Sequence, residues 1–404
     1  MDQGVGTAAR PEQPSAPVGD DALRLVFVAT FVLNASTSVV FTLISDLQDA
    51  TGISTASLGL ITATGFVVGL VVQLLVAPLA DRGGAKLLLV GGLALAVVGS
   101  TVFAYGTDLA VLLLARALIG AADGCFIPAA RAIVAGSDPA RAGERLGRLA
   151  RVDLAGFVTG PIIGSVLVGP LGLRNTFLAF AVLALLALIG LAPRHVPALP
   201  TTVESSRPSL VLLRDRQIGV AVVLALVLFL PVGVYDALWD RYLTDLGGSN
   251  LLIGLSFLLY GLPFVLLAAW GGRLADRVGH VRIAIVGVIA LVPLVVSYGV
   301  IHSAVILAVL PMAEAVIQAA TVPAAQAAMA DACPPGRAAA GQGLAGATQL
   351  AGAGAAALVA APIYAHLGSV AVFVTIGGFM LALAFVAIAM CRGVATPSPR
   401  PVRA

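Results

Sequence analysis

The chain has 404 residues, of which 59% are hydrophobic and 11% are charged, whereas a typical soluble domain has roughly 25% charged residues. This composition excludes a water-soluble globular domain and indicates a membrane protein. The formal net charge of +3 does not point to a nucleic-acid-binding protein, because the basic residues are spread along the flanks of apolar segments.

Twelve apolar segments follow one another along the chain, each about long enough to cross a bilayer as a helix. In chain order we expect them at Leu23–Ile44, Thr55–Val76, Lys86–Tyr105, Ala110–Ala135, Gly147–Gly169, Asn175–Ala192, Gln217–Tyr242, Leu251–Gly272, Val281–Val300, Ser303–Met329, Gly341–Tyr364 and Gly368–Cys391. A helix satisfies its own backbone hydrogen bonds, as a chain inside a membrane requires. The sequence therefore predicts an all-α integral membrane protein of twelve transmembrane helices.

The stretches outside these segments are polar and divide the chain. Residues 1–22 contain prolines and acidic residues but no apolar core, which predicts a disordered cytoplasmic tail. Residues 193–216 are rich in proline and arginine, and we expect a central cytoplasmic loop there. This loop would join an N-terminal bundle (23–192) to a C-terminal bundle (217–391). Residues 392–404 are expected to form a second cytoplasmic tail.

Basic residues are distributed unequally between the two sides of the membrane. Of the 23 Lys and Arg residues, only Arg174 and Arg241 fall in loops that the helix count places outside. The positive-inside rule therefore places both termini in the cytoplasm. The scarcity of lysine beside abundant Ala, Gly and Arg suggests a bacterial genome rich in G and C, and hence the cytoplasmic membrane of a bacterium.

The two halves of the chain repeat one another. A shift of 195 residues places the run Leu79–Gly84 on Leu274–Gly279, and a shift of 196 residues places Gly147 on Gly343. This agreement predicts two six-helix bundles related by pseudo-symmetry. Such bundles share a cavity at mid-depth and can rock about it, which is the geometry of alternating access.

The repeated run Leu-Ala-Asp-Arg-x-Gly lies in the turn after the second helix of each half, and its candidate switch residues are Asp81, Arg82, Gly84, Asp276, Arg277 and Gly279. Gly84 or Gly279 can adopt positive φ there, and each aspartate can cap a helix N-terminus. The arginines could pair across a moving interface; the alternative is a salt bridge that only closes the turn.

This duplicated turn resembles the signature loop of the major facilitator superfamily. The resemblance covers Leu23 to Cys391 and implies a secondary transporter in which the loop latches the two halves in one state. The fifth helix carries Gly156, Gly160, Pro161 and Gly164, a spacing similar to the antiporter signature of the drug:proton antiporters. Ordinary packing of small residues is the alternative explanation.

Several charged residues lie inside the predicted helices, where each is expensive unless it serves a polar cavity. Arg116 stands in a segment that resembles one the family uses in proton coupling, and its guanidinium should face the cavity and an acid. Asp123 is the natural candidate, but about 10 Å along the helix axis separates the two, so a water or substrate would link them. Glu314 and Asp236 are further candidates for proton coupling. The alternative is a static buried pair.

We expect four residues to line the substrate cavity: Asn34, Tyr235, Trp239 and Gln318. An aromatic belt at the membrane surface explains the two aromatic residues equally well. The first helix contains no acid, which disfavours strongly cation-selective export. Asp153 is interpreted as a gate or loop contact with Arg148, and Asp240 as an interfacial residue.

The leading functional hypothesis is a proton-coupled antiporter that exports a small amphiphilic drug or metabolite. A proton symporter or a metabolite exporter for a sugar, amino acid or carboxylate is the alternative within transport, and a membrane sensor or scaffold is the alternative outside it. The motifs of metalloproteases, serine hydrolases and phosphate-binding loops are absent from the sequence, which argues against an enzyme.

The expected partners are a small-molecule substrate, protons and the lipid bilayer. We expect no nucleic acid, no cofactor and no metal, because the four histidines are scattered along the chain without the spacing of a metal site. A monomer is expected because the resemblance implies it.

Overall fold

The computed structural model describes residues 20–79, 84–138, 141–194, 210–334 and 337–391, and within them every regular element is helical. The helices are α1 Asp20–Ser38, α2 Ile44–Thr51, α3 Thr55–Leu79, α4 Ala85–Tyr105, α5 Leu109–Ser137, α6 Ala142–Leu191, α7 Arg216–Asp245, α8 Asn250–Val278, α9 His280–Val300, α10 Ala304–Val309, α11 Pro311–Ala332 and α12 Ala338–Cys391. We call the side on which α1 begins the inner side. Nearly all of the two predicted tails and most of the central loop lie outside the described residues.

Within the described part, ten helices are long and apolar enough to cross a membrane. Two of them, α6 and α12, span 50 and 54 residues, against about 20 for a single crossing. Each is broken by one glycine with non-helical backbone angles, Gly172 (φ 75°, ψ 164°) and Gly368 (φ 80°, ψ −178°). These two breaks support the predicted twelve crossings, because each allows its helix to turn back at the outer side.

Polar residues fix the beginnings of several helices. The side chain of Asp108 accepts a hydrogen bond from the Val111 amide at 3.1 Å, and Ser249 does the same for Leu252 at 3.3 Å. Such caps satisfy amides that have no partner within the first helical turn. Each capping residue stands directly before an apolar segment, so the helix begins where the apolar sequence begins.

The two halves, α1–α6 and α7–α12, meet through contacts that repeat the internal symmetry. Gly59 of α3 lies against the backbone of Ala357 in α12, and Gly254 of α8 lies against Pro161 and Ser165 in α6. The shift of 195 residues relates the two glycines, and the shift of 196 relates Pro161 to Ala357. Because a glycine lacks a side chain, each pair of helices approaches closely at these points.

Candidate functional site

A cavity of about 370 Å³ lies between the two halves. Eight of its sixteen lining residues are aromatic, although aromatic residues are only 6% of the chain. The wall is formed by α6, α7, α8, α9 and α11, with Phe41 contributed by the 3-10 turn that follows α1. Three acids also face the cavity: Asp153, Asp236 and Glu314. The cavity therefore combines flat apolar walls with negative charge.

Glu314 is 1% exposed and accepts hydrogen bonds from three neutral donors. Tyr298 donates to it at 2.6 Å, Tyr235 at 3.0 Å and Gln318 at 2.8 Å. Tyr260 donates to Gln318 in turn, at 2.7 Å. The predicted cavity residues Tyr235 and Gln318 thus lie against the predicted coupling residue Glu314. Among the described residues, no cation forms an ion pair with this carboxyl group.

Trp239, the third predicted cavity residue on this side, completes an aromatic cluster. Its ring centroid is 5.5 Å from that of Tyr235 and 5.3 Å from that of Tyr298, both in edge-to-face geometry. Its indole N–H donates to Ser256 at 2.9 Å. The cluster is buried within the bundle, so the predicted alternative of an aromatic belt at the membrane surface does not describe these residues.

Arg116 forms a buried ion pair with Asp236, which joins α5 of one half to α7 of the other. The side chains are 6% and 2% exposed, and the guanidinium also lies over the ring of Phe41, 5.5 Å from its centroid. The acid that faces Arg116 directly is therefore Asp236 and not Asp123. The expected link from Arg116 to Asp123 through a water or substrate considered only the helix that carries both residues, and the direct partner lies on another helix. Asp123 has a buried Oδ1 without a hydrogen-bond partner in the described part of the chain.

Asp153 lies on the cavity wall and accepts a hydrogen bond of 2.7 Å from the side-chain amide of Asn34 in α1. Asn34 was predicted to line the cavity, but it is not among the lining residues. It lies behind Asp153 and contacts the cavity wall through this hydrogen bond. The interpretation of Asp153 as a contact of Arg148 is wrong, because its side chain points into the bundle and bonds the first helix. The first helix therefore contributes an amide that holds an acid, in place of an acid of its own.

The outer side of the cavity is closed by polar contacts between α2 and the second half. The carboxyl group of Asp240 accepts a hydrogen bond from the Ser45 amide at 2.8 Å. Arg241 donates to Asp49 at 2.8 Å, and Asn250 donates to Asp46 at 3.0 Å. Asp240 is 0% exposed, so it lies buried between the two halves near the outer end of α7, and its position at the membrane interface stays a prediction. Across the described residues, the hydrogen bonds between side chains of the two halves lie at this outer contact or at Arg116.

The glycines of the fifth-helix motif pack α6 against the first helix. Gly156 lies against Phe31 and Asn34, Gly160 against Ala35 and Ser38, and Gly164 against Val39. These contacts lie within the N-terminal half, close to the point where Pro161 approaches Gly254 of the other half. These glycines therefore allow α1 and α6 to pack closely beside the interface between the halves. Their role as a conformational switch stays a prediction.

We expect Gly160→Ala to lower the free energy of unfolding by about 1–3 kcal/mol, the usual cost of overpacking. A Cβ at Gly160 would overlap the carbonyl oxygen of Ala35, so α1 and α6 must separate. Gly147→Ala is the matched control, since nothing lies within 4 Å of its added Cβ. Thermal unfolding of both variants in detergent measures the difference, and equal stabilities would contradict the packing argument.

The repeated turn is described only in part, since Asp81 and Arg82 lie outside the described residues. Gly279 has positive φ, 108°, as expected. Gly84 has φ −79° and so does not use the positive φ that is open to a glycine. Its lack of a side chain is needed for close packing, because an added Cβ would lie 2.7 Å from the carbonyl oxygen of Leu79.

Asp276 does not cap a helix N-terminus, because it lies in the last turn of α8. It faces Nε2 of His280 at 2.9 Å, while Asp331 faces Nδ1 of the same ring at 2.6 Å. Only a doubly protonated imidazole donates on both sides. Arg277 forms no ion pair with any described residue. The contact of His280 with both aspartates could not be expected from the sequence, because His280 and Asp331 are 51 residues apart.

The missed acids Asp153 and Asp240 gave the same signal that identified Glu314, namely a carboxyl group within an apolar segment. Their positions near the ends of predicted helices, each close to an arginine in the sequence, favoured a loop or interfacial role instead. That sequence distance does not tell which neighbouring helix an acid faces.

The sequence was also compared with known proteins. The family model described as Major Facilitator Superfamily matches residues 26–238 and 221–404. The multidrug resistance protein MdtG of Proteus mirabilis (strain HI4320) is 26% identical over 279 residues, which cover 65% of this chain and 69% of that protein. The quinolone resistance protein NorA of Staphylococcus aureus (strain MSSA476) is 28% identical over 199 residues, covering 48% of this chain and 51% of that protein.

Solved structures show the same arrangement of helices. The crystal structure of a D-xylose-proton symporter superposes with a TM-score of 0.78 and 16% identity, covering 94% of this chain and 99% of that one. The nucleoside transporter NupG gives a TM-score of 0.75 with 13% identity, covering 93% and 100%. At such identities the likeness concerns the fold alone. Together these matches confirm the predicted fold class and the resemblance noted in the sequence.

Proposed function

The chain belongs to the major facilitator superfamily and is a multi-pass membrane transporter, and we propose that it is a proton-coupled antiporter that exports a lipophilic cation by alternating access. One observation carries this proposal. Glu314 lies in an aromatic cavity with only neutral hydrogen-bond donors around it. Two relatives whose names concern drug resistance, MdtG and NorA, support the choice of substrate class.

Competition for one carboxyl group couples the two fluxes. A buried carboxylate is costly unless a positive charge balances it, and at Glu314 that charge is either a proton or a cationic substrate. The two exclude each other at one site. A cation that enters from the inner side displaces the proton, and a proton that enters from the outer side displaces the cation. Net export of substrate then follows the inward proton gradient.

The aromatic residues of the cavity favour a substrate with a flat or positively charged group. Tyr235, Trp239 and Tyr298 present rings next to Glu314, and a cation close to such a ring face gains about 0.5–2 kcal/mol. Phe41 and Phe257 stack at 6.1 Å on another part of the wall. Since these walls offer few polar groups, they select by apolar contact and charge rather than by a fixed set of hydrogen bonds.

Asp153 removes the objection that the first helix has no acid. Its carboxyl group lies on the cavity wall, held there by Asn34. Since Arg116 balances Asp236, the cavity keeps two acids, Asp153 and Glu314, that form no salt bridge with a described residue, although the charge of Arg131 acts on Asp153 from a greater distance. This surplus of negative charge supports a cationic substrate over a neutral sugar or an anionic carboxylate.

The pair of Arg116 and Asp236 connects the proton to the movement of the halves. Because the pair bridges α5 and α7, it has to break or stretch when the halves rock apart. A proton on Asp236 would weaken the pair and ease that movement. Asp123, whose buried Oδ1 has no described partner, remains a candidate for passing the proton along α5.

The proposal includes a cellular setting. The protein would work as a monomer in the cytoplasmic membrane of a bacterium, with both termini in the cytoplasm, and without a cofactor. The basic residues on the flanks of the inner side support this orientation.

Reconstituted liposomes test the proposal directly. With a pH gradient across the membrane and a pH-sensitive dye in the lumen, ethidium or tetraphenylphosphonium should evoke proton movement opposite to the flux of the added cation. Xylose, alanine and succinate should evoke none. Proton movement in the same direction as the substrate would identify a symporter, and a response to the neutral or anionic solutes alone would contradict a cationic substrate.

Asp153→Asn should weaken tetraphenylphosphonium binding about tenfold, the effect of losing roughly 1.4 kcal/mol of attraction between charges. The amide keeps the size of the side chain and the contact with Asn34, so a neutral aromatic ligand should bind as it does to the wild type. Isothermal titration with both ligands measures the two affinities. An equal loss for both ligands would mean that Asp153 shapes the cavity and does not select charge.

A further inference from the structure

The short helix α2 begins at the outer side without a cap of its own. Its N-cap position is Leu43, and no side chain of the same segment bonds the first turn. The amides at the start of a helix have no partner within the helix and carry a partial positive charge. One of them, the amide of Ser45, donates to Asp240 of α7 instead, at 2.8 Å. A residue of the second half therefore caps a helix of the first.

Asp240 differs from the other groups at this contact by its burial. Its side chain is fully buried, whereas Asp49, which accepts from Arg241, is 65% exposed. Exposed ion pairs contribute little, because water and salt screen them. A hydrogen bond between a carboxylate and a helix amide away from water is much stronger. The closure of the outer side therefore depends mainly on the contact between Asp240 and Ser45.

The second oxygen of Asp240 makes this closure reversible. Oδ1 is buried and has no hydrogen-bond partner among the described residues, which is unfavourable for a carboxyl group. When the outer side opens, water reaches both oxygens and α2 loses its cap. The closed state thus gains one strong hydrogen bond and gives up the hydration of one oxygen. These opposing effects keep the two states close in free energy, as a gate requires.

We propose that Asp240 is the positioning residue of the outer gate, which holds the outer side of the transporter closed by capping α2 from the opposite half. The proposal rests on alternating access as the mode of transport, but it needs neither protons nor a particular substrate. It assigns to Asp240 a role distinct from that of Glu314 and Asp236, which face the cavity. Asp240 acts on the conformational equilibrium and does not contact the substrate.

Distances between spin labels at the outer side test the gate. Ala50 of α2 and Leu251 of α8 are exposed, so both can be changed to cysteine in a chain whose Cys125, Cys333 and Cys391 are replaced by serine. We expect Asp240→Ala to raise the ratio of open to closed populations about tenfold, as for the loss of one hydrogen bond to a charged group. Asp240→Asn keeps an acceptor and should restore most of the closed population.

Two changes at Ser45 examine the same bond from the other side. Ser45→Pro removes the amide hydrogen while a proline is tolerated in the first turn of a helix, and it should open the gate as Asp240→Ala does. Ser45→Ala keeps the amide and removes only the contact of the Ser45 hydroxyl with Thr244 of α7, at 3.3 Å, so it should open the gate much less than Ser45→Pro does. Combining Ser45→Pro with Asp240→Ala should add nothing further, because both remove one bond.

Asp49→Asn is the matched control, since it weakens an exposed link of the same contact. An Asp240→Ala distribution equal to that of the wild type, or an equal shift in Asp49→Asn, would overturn the proposal. Should Asp240→Ala not fold, the comparison of Ser45→Pro with Ser45→Ala decides by itself. A shift in the distances without any cation-evoked proton movement would retain the gate and reject the proposed antiport.

Discussion

Arg116→Met is expected to abolish transport and to lower the free energy of unfolding by about 3–5 kcal/mol, the usual cost of leaving one charge of a buried pair without its partner. Asp236 is 2% exposed as a side chain, and its Oδ1 already lacks a hydrogen-bond partner among the described residues. Once the guanidinium is removed, no described cation remains to balance its carboxylate. Thermal and denaturant unfolding in detergent, together with dye efflux from liposomes, measure both effects.

The double variant Arg116→Met with Asp236→Leu separates stability from function. Replacing a buried ion pair by apolar side chains of similar volume is often neutral or stabilising, so the double variant should unfold close to the wild type. Transport should still be absent, because the pair no longer responds to a proton. A double variant as unstable as Arg116→Met, or one that still transports, would contradict the role given to the pair.

Glu314→Gln should reduce cation-driven proton movement by about a hundredfold or more, consistent with the 2–5 kcal/mol lost when one partner of a buried charge pair is removed. The amide of glutamine has nearly the same shape, and its oxygen can still accept from Tyr298 and Tyr235. Folding should therefore be preserved. The loss should appear both in the affinity for tetraphenylphosphonium and in the proton signal, because both use the same carboxyl group.

A matched control for this change is Glu144→Gln, which neutralises an exposed acid at the beginning of α6. It should leave transport and binding unchanged. Tyr298→Phe removes one of the three donors to Glu314 and should give an intermediate loss. If Glu314→Gln still couples cation flux to proton movement as the wild type does, the assignment of Glu314 is wrong. Asp153 would then be the site at which proton and cation compete.

The fold could be predicted largely from sequence because the membrane restricts the choice of structure. In a bilayer an apolar run of about 20 residues has to form a helix, so α4 and α9 end at Tyr105 and Val300 as predicted. The repeat then fixed which segments correspond. The path of the chain between α1 and α3 was not predicted. There Val39–Thr42 forms a 3-10 turn and Ile44–Thr51 forms a separate helix. Both lie at or beyond the end of the apolar segment that was predicted as one helix, and hydropathy does not show where a helix breaks.

The site could be predicted only as a set of residues and not as a set of contacts. Arg116, Asp236 and Glu314 were identified because charge within an apolar helix needs a reason. Apart from Gln318, which bonds Glu314 within α11, their partners come from other helices, more than 70 residues away in the case of Tyr235 and Glu314. The hydrophobic periodicity of a single segment does not show which residues of distant helices face it. Asp123 was preferred as the acid near Arg116 for that reason, although the ion pair crosses from one half to the other.

The breaks at Gly172 and Gly368 have a consequence for work on whole cells. At each of them the chain turns back through a single residue inside one long helical element, so these two outer turns are tight helical hairpins. Their angles belong to a region that is essentially open to glycine alone. With both termini in the cytoplasm, as proposed, an antibody or a protease added to cells would find almost no extended chain to bind there, and an inserted epitope tag would have to break the hairpin. For tagging the outer surface, the turn at Gly247, which joins α7 to α8, is the better position.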